Sequence, residues 1–360
     1  MADERAIFNR YPGLAKLLPF VALGDFPTPV HRVTDLENAL GIERLWIKRD
    51  DISAKLYGGN KVRKLEFLLA TAKQNGCDTV VTFGGFGSNH ALATSIFCRE
   101  LGLQCVAILT PEPATDAVRR TLRYHLALGT RIEVAHDYAD INATARRVID
   151  EIGDTRCYEV PFGGSSWVGA TGFVNAGLEL ARQVSNGVLN QPDVIYIGCG
   201  TAGSVAGLAL GLGLAELPVA IEAVQVTPES MQPERLYRQL FADTNRELNA
   251  RESTVALLGS GDASVNVRTD QLGEGYAMPT EAGREAAAVM ERTTKLPASL
   301  TYTAKTMAAM MADAGRGSLA GKNVLFWNTY NSNAYPEFAE DDSWRKLPAA
   351  LHAVFAGEGD

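Results

Sequence analysis

VIYIGCGTAGSVAGLALGLGL, residues 194–214, sets an apolar β-branched run before a glycine-rich turn and then a run at helical spacing. Strand, glycines and helix in that order make one half of a parallel βαβ unit. The rhythm recurs along the chain. A strand at 44–48 precedes a helix at 60–75, in which Leu65, Leu68, Leu69 and Ala72 repeat at helical spacing and Gly76 lies beyond the end. Strands are expected at 79–83, 104–109, 131–134 and 156–160, alternating with helices at 89–101, 114–128, 138–152 and 168–184. Further on, a strand at 219–226 leads to a long helix from Pro228, and helices from Glu281 and at 304–314 precede a last strand at 323–327. Residues 249–275, rich in Ser, Gly and Asp, read as a surface loop, and 337–360 carry no legible pattern. The expected fold class is α/β, with two open, mostly parallel sheets and a cleft between them, because one sheet rarely holds so many units.

Composition narrows the function. With 46% hydrophobic residues in a chain of 360, disorder is excluded. A net charge of −8 with no Lys/Arg run argues against nucleic acid as a partner. Apolar runs such as 208–214 are broken by glycines well short of membrane-spanning length, so no membrane is expected. Met1-Ala2-Asp3-Glu4-Arg5 is polar and shows no targeting signal. Five scattered cysteines without a C-x-x-C pair suit a reducing, cytoplasmic location, and the histidines never fall at i, i+4, so no metal site is expected.

Several glycine-rich turns carry chemistry-bearing residues. Gly58-Gly59-Asn60-Lys61 opens the 60–75 helix, with Asn60 suited to the N-cap. Lys61 then lies in the first turn, where the helix dipole and the like charges of Arg63 and Lys64 disfavour its ammonium. It is either a solvated lysine or an amine poised for Schiff-base chemistry. Gly198-Cys199-Gly200-Thr201-Ala202-Gly203-Ser204 fits a phosphate cup at a helix start, or simply a tight βα turn. No G-K-[ST] follows, and no acidic residue ends the next strand, so neither a Walker loop nor a clean dinucleotide fingerprint is present. Gly84-Gly85-Phe86-Gly87-Ser88-Asn89-His90 is a cap or a carboxylate-binding loop, and Gly163-Gly164-Ser165 reads as packing. Tyr276, Tyr302-Thr303 and Asn328-Thr329 stand at element ends.

Taken together, GGNKVRKLEFLL (58–69), SNH (88–90), PFGGSSWVGATGF (161–173) and GCGTAGSVAGLALG (198–211), following PTPVHRV (27–33) and LWIKRDD (45–51), resemble the D-cysteine desulfhydrase and 1-aminocyclopropane-1-carboxylate deaminase family. The resemblance runs from about Pro27 to about Tyr335. It implies the tryptophan-synthase-β-like fold of fold type II pyridoxal 5'-phosphate enzymes. A large cofactor-binding domain would be built from 1–63 and 173–360, with a small domain, 64–172, inserted into it. It implies that Lys61 holds the cofactor in a Schiff base and moves the Cα proton. Asn60 would lie beside it and Asn89 would meet the cofactor's phenolic oxygen. Gly200, Thr201, Ala202, Gly203 and Ser204 would cup the phosphate, and Thr329 would face the pyridine nitrogen. Tyr302 would lie against the ring. Ser88, Asn89, His90, Tyr276 and Thr303 would face a small amino-acid substrate, with Ser88, Tyr276 and Tyr302 joining Lys61 in catalysis.

The implied activity is a lyase of amino-acid metabolism, most simply D-cysteine to pyruvate, ammonia and hydrogen sulfide, working as a homodimer. Ring-opening members carry Glu after the tyrosine that Tyr302 matches, whereas this chain has Thr303, which favours elimination over deamination of 1-aminocyclopropane-1-carboxylate. Asn328-Thr329-Tyr330-Asn331 replaces the family's usual His-Thr-Gly-Gly, which implies a different pocket wall and leaves room for another β-substituted substrate. A nucleotide-binding protein using only the 198–204 turn would leave Asn60-Lys61 and Ser88-Asn89-His90 without a role.

Overall fold

The computed structural model describes residues 5–137, 139–336 and 342–356. Its first elements are α1 (Ala6–Arg10), α2 (Leu14–Leu17), β1 (Val30–Arg32), α3 (Thr34–Leu40), β2 (Arg44–Lys48) and α4 (Lys61–Gln74). Then come β3 (Thr79–Gly85), α5 (Asn89–Glu100), β4 (Gln104–Thr110), α6 (Asp116–Leu128), β5 (Arg131–Val134), α7 (Ile141–Ile152) and β6 (Cys157–Val160). The second half holds α8 (Trp167–Ser185), β7 (Val194–Cys199), α9 (Gly203–Leu214), β8 (Ala220–Gln225) and α10 (Pro233–Arg251). The last are β9 (Val265–Arg268), α11 (Glu281–Thr294), α12 (Thr303–Gly315) and β10 (Asn323–Trp327). Two units result: Met1–Phe67 with Ser165–Asn333, and Leu68–Gly164 with Ala334–Asp360.

The first unit contains a six-stranded sheet in the order β1-β2-β10-β7-β8-β9. Only the β1–β2 pair is antiparallel. Both faces are covered, and strand periodicity divides the side chains between them. Leu325 and Trp327 of β10 join Ile195 and Ile197 of β7 against α8, α9 and α10. Val324 and Phe326 point the other way, with Val194 and Tyr196, into a core made with α3, α11 and α12. This two-sided burial is why the strands read as near-continuous apolar runs.

In the second unit β5-β4-β3-β6 form an all-parallel sheet. Ala107 and Leu109 of β4 pack with α5 and α6 on one face. Val106 and Ile108 pack with α7 on the other. The segment expected to belong with 173–360 adds Leu347, Leu351 and Phe355 to the core beside α6, and Arg119 Nε donates to the Val354 carbonyl at 2.9 Å. Its apolar residues are packed in short 3-10 turns, which leave neither a period of two nor one of 3.6 in the sequence.

Two expected boundaries move. The 249–275 stretch is not all loop: α10 reaches Arg251, and β9 pairs in parallel with β8 along this sheet edge. Its VNVR sequence does alternate apolar and polar residues, but over so few positions that the alternation is lost among the Ser, Gly and Asp around it. The helix expected from Tyr138 begins at Ile141, and Tyr138 itself lies outside the described residues. Among the described residues no helix is long and apolar enough to cross a membrane.

Helices α8 and α9 meet almost backbone to backbone. A Cβ added at Gly207 would sit 2.2 Å from the Ala170 carbonyl oxygen and 2.6 Å from Phe173 Cβ. Neither atom is the end of a flexible chain, so the helices must separate. Gly207→Ala is expected to destabilise the protein by about 1–3 kcal/mol, read as a lowered urea midpoint. An unchanged midpoint would mean that the helices can part at no cost.

Candidate functional site

Lys61 is the first residue of α4, and the turn before it is tightly determined. Gly59 has φ +96°, a region open mainly to glycine, and a Cβ added there would lie 3.0 Å from the Thr329 carbonyl oxygen. Asn60 N–H donates to that same carbonyl at 3.1 Å, and Gly58 N–H donates to Asn331 Oδ1 at 2.7 Å. Asn331, expected to alter a pocket wall, is thus a buried clasp on the turn that presents Lys61. Burial pushes the Lys61 amine down to about 8.

Behind the turn, the Arg63 guanidinium lies buried between two carboxylates. It donates to Asp50 at 2.7 and 2.8 Å and to both Glu179 oxygens at 2.9 Å. Lys48 Nζ reaches Glu179 Oε1 at 2.5 Å and the Thr28 carbonyl at 2.7 Å, and Trp327 Nε1 reaches Asp50 Oδ2 at 2.8 Å. Burial alone would raise the Glu179 carboxyl, but the charges of Arg63 and Lys48 outweigh it and hold it at about 2. The cluster ties α4 to β2, α8 and β10.

The glycine turn after β7 closes on the same place. Asn60 Nδ2 donates to Ser204 Oγ at 3.0 Å, and Thr227 Oγ1 donates to the Gly200 carbonyl at 3.1 Å. Ala202 adopts φ +60°, a left-handed conformation that a non-glycine residue rarely takes, where α9 begins. A Cβ on Gly203 would meet Ser165 Oγ at 2.5 Å and Lys64 Nζ at 2.9 Å. Ser165 Oγ and Thr201 Oγ1 are 2.6 Å apart. Burial, and then the nearby Lys61 charge, push the Lys64 amine well below its ordinary value. A dianion in this cradle would favour the charged amine again, and hydroxyls with a helix N-terminus suit a phosphoester. The residues therefore fit a phosphorylated cofactor. Cys199 beside them is buried, with its thiol pushed up to about 12, and so is unreactive.

Tyr302 borders this turn, where a Cβ added at Gly200 would meet its ring at 3.7 Å, and its hydroxyl lies 2.8 Å from that of Tyr276. The first unit thus brings together Asn60, Lys61, Gly200 to Ser204, Tyr276, Tyr302 and Thr329. Thr303 is buried, and its Oγ1 accepts the Ser299 N–H at 2.8 Å.

Ser88, Asn89 and His90 belong to the second unit, at the start of α5. Ser88 is the N-cap, its Oγ accepting the Ala91 N–H at 3.2 Å; Asn89 is half-buried and His90 buried. Glu112 Oε2 accepts the Gly87 N–H at 2.9 Å just before them, and burial raises its carboxyl. Sequence reasoning gave Lys64 only a like charge, Ser165 a packing place and Asn331 an altered wall, and it missed Thr227. For Lys64 the available signal was its i+3 spacing from Lys61, which puts both amines on one helix face.

A family model described as pyridoxal-phosphate dependent enzyme matches residues 21–329. D-cysteine desulfhydrase of Salmonella choleraesuis (strain SC-B67) is 33% identical over 300 residues, covering 81% of this chain and 88% of that protein. Among solved structures, an ACC deaminase homologue superposes with TM-score 0.76 at 25% identity, covering 91% of this chain and 94% of its own. A fungal L-serine ammonia-lyase from Rhizomucor miehei shares the fold, with TM-score 0.59 at 17% identity over 91% of this chain and 99% of its own.

Two pH effects follow from this geometry. Glu179→Gln leaves two buried cations underpaired and is expected to cost about 3–5 kcal/mol at neutral pH. Because the folded carboxyl titrates near 2 against an ordinary 4.5, its contribution is full above 4.5 and fades as pH falls toward 2. The variant's deficit in urea unfolding should therefore shrink across that range; a constant deficit would refute the linkage. Lys61 shares the direction with pH, but its charged form destabilises the fold where the Glu179 carboxylate stabilises it. Its folded amine near 8 against 10.5 makes native stability rise with pH between those values. Lys61→Met should be more stable than the parent at pH 7 in cofactor-free protein, with the advantage disappearing by pH 10.5.

Proposed function

The chain belongs to the pyridoxal-phosphate-dependent enzyme family, and on that premise we propose that it removes the β-substituent of D-cysteine, giving pyruvate, ammonia and hydrogen sulfide. It has the α/β, mostly parallel-sheet fold of fold type II enzymes of this family and is a pyridoxal-phosphate-dependent lyase acting on a small amino acid. One observation carries the reading. A single unit gathers an amine near 8 (Lys61), a hydroxyl-lined cradle with a buried second amine (Lys64), and a phenol pair 2.8 Å apart.

When bound, the cofactor supplies an electron sink for negative charge at the substrate Cα. Lys61 would hold the cofactor covalently, and its amine, whose affinity for protons burial lowers, would serve as the base for the Cα proton. Gly200 to Ser204, with Ser165 and Lys64, bind the phosphate. Asn60 braces this turn through Ser204. By the family resemblance, Thr329 would hold the pyridine nitrogen with a neutral hydroxyl and Asn89 would hold the phenolic oxygen. Ser88, Asn89 and His90 would take the substrate carboxylate, as the family resemblance implies. Tyr276, braced by Tyr302, offers its hydroxyl to the departing sulfur. Water completes the balance, one molecule being consumed as the nitrogen leaves as ammonia. The D-cysteine assignment is supported by the curated relatives that bear that activity in their names. A homodimer in the cytoplasm completes the proposal, and sedimentation showing only monomer would remove that part.

The second reading is 1-aminocyclopropane-1-carboxylate deamination, favoured by the ACC deaminase homologue among the solved structures. Thr303 weighs against it, since its hydroxyl is committed to the Ser299 N–H and it has no carboxylate to offer. Purified protein given pyridoxal phosphate is expected to show visible cofactor absorbance that Lys61→Ala loses. With D-cysteine it should release pyruvate and sulfide, and with the cyclopropane substrate little 2-oxobutyrate. Efficient 2-oxobutyrate release without pyruvate would reverse the order of the two readings.

A further inference from the structure

Tyr276 sits in a loop whose backbone is unusual on both sides of it. Gly275 has φ +147° and Ala277 has φ +59°. The loop runs from β9 to α11, and a conformation of this kind persists only where surrounding contacts hold it. The contact that stands out is Lys305. It is fully buried on α12, and its Nζ donates to the Leu272 carbonyl at 2.7 Å and the Gly275 carbonyl at 3.1 Å. Among the described residues no carboxylate pairs with it, and burial lowers its amine. A buried ammonium normally finds a carboxylate; this one is spent on two carbonyls of one loop.

Placement on α12 gives the contact a function. Lys305 follows Tyr302 by three residues, about one helical turn. The loop is therefore fastened to the start of α12 twice, by the ammonium under Gly275 and by the 2.8 Å contact between the Tyr276 and Tyr302 hydroxyls. The second fastening is weak without the first, because Tyr276 hangs from the peptide whose carbonyl Lys305 holds. We propose that Lys305 is a positioning residue, a clamp on the Leu272 and Gly275 carbonyls that sets the Tyr276 hydroxyl against Tyr302 for the reaction. The inference rests on the reading that these two tyrosines serve the substrate. It goes beyond that reading by assigning the group that holds them.

The test compares Lys305→Met, Lys305→Arg, Tyr276→Phe and the Lys305→Met/Tyr276→Phe double variant, each loaded with pyridoxal phosphate and assayed with D-cysteine. Lys305→Met is expected to keep the parental cofactor absorbance and a nearly unchanged KM while kcat falls roughly ten- to 100-fold. Lys305→Arg should recover part of the loss. The double variant should be no slower than the worse single one, since both act through one hydroxyl. Amide hydrogen exchange over 272–277 should quicken in Lys305→Met and not in Tyr276→Phe. Parental kcat and exchange in Lys305→Met, or losses that multiply in the double variant, would overturn the clamp. If Tyr276→Phe keeps full activity, the catalytic reading of Tyr276 fails, and exchange alone then decides: faster exchange in Lys305→Met upholds the clamp, and unchanged exchange rejects it. Should Lys305→Met not fold, Lys305→Gln, which keeps a donor of shorter reach, takes its place in the same comparisons.

Discussion

The Arg63 guanidinium, buried between the Asp50 and Glu179 carboxylates, is the constraint on which the first unit's chemistry depends. Taking four charged groups out of water is costly unless each is paired and hydrogen-bonded, and here Lys48, Thr28 and Trp327 complete the set. The members come from β2, α4, α8 and β10, elements far apart in sequence. Their geometry is demanding, so the ends of these elements cannot drift independently. Lys61 lies two residues ahead of Arg63 and inherits that rigidity. The Lys61 amine is placed by a neighbour whose own charge is fully paired.

Three cations within one turn of α4 thus meet three different environments. Arg63 is neutralised. Lys61 carries the burden of burial, which lowers its proton affinity toward the range where a neutral amine is available. Lys64, three residues on, is depressed further by burial and by Lys61, beside a cradle shaped for an anion. An anionic ligand would relieve Lys64 while leaving the Lys61 amine free for the nucleophilic role proposed for it. Binding and reactivity are in this way separated along a single helical turn.

The site also follows the general rule for open parallel sheets, in which ligands meet the carboxyl ends of the strands. The glycine turn follows β7, Thr329 and Asn331 follow β10, and the Gly58–Gly59 turn follows β2. Each of these ends needs partners for its backbone groups, and they find them in one another: Asn60 with Thr329, Gly58 with Asn331, Thr227 with Gly200. Tyr276 is different, since it stands on a long loop rather than a strand end. That is why a buried cation from α12 is needed to hold it.

Alternation of apolar strands with amphipathic helices, read along the chain, determined the α/β class and most element positions, because burial on both sheet faces leaves a period that sequence displays directly. Motif order likewise singled out Lys61, the 198–204 turn and the Ser88–Asn89–His90 start of α5, since glycines and caps at helix starts act locally. What lay beyond it were contacts between distant segments. Arg63 and Lys64 look alike in the sequence, and only the fold gives one two carboxylates and places the other at the hydroxyl-lined turn before α9. Asn331 read as an altered wall and proved a clasp on Gly58; β9 joined its sheet on a four-residue alternation, and the 342–356 segment joined its core without a periodic signal. Charge and hydrogen-bond partners are assigned by three-dimensional proximity, and proximity between residues a hundred or more positions apart is decided by how the sheets and helices pack.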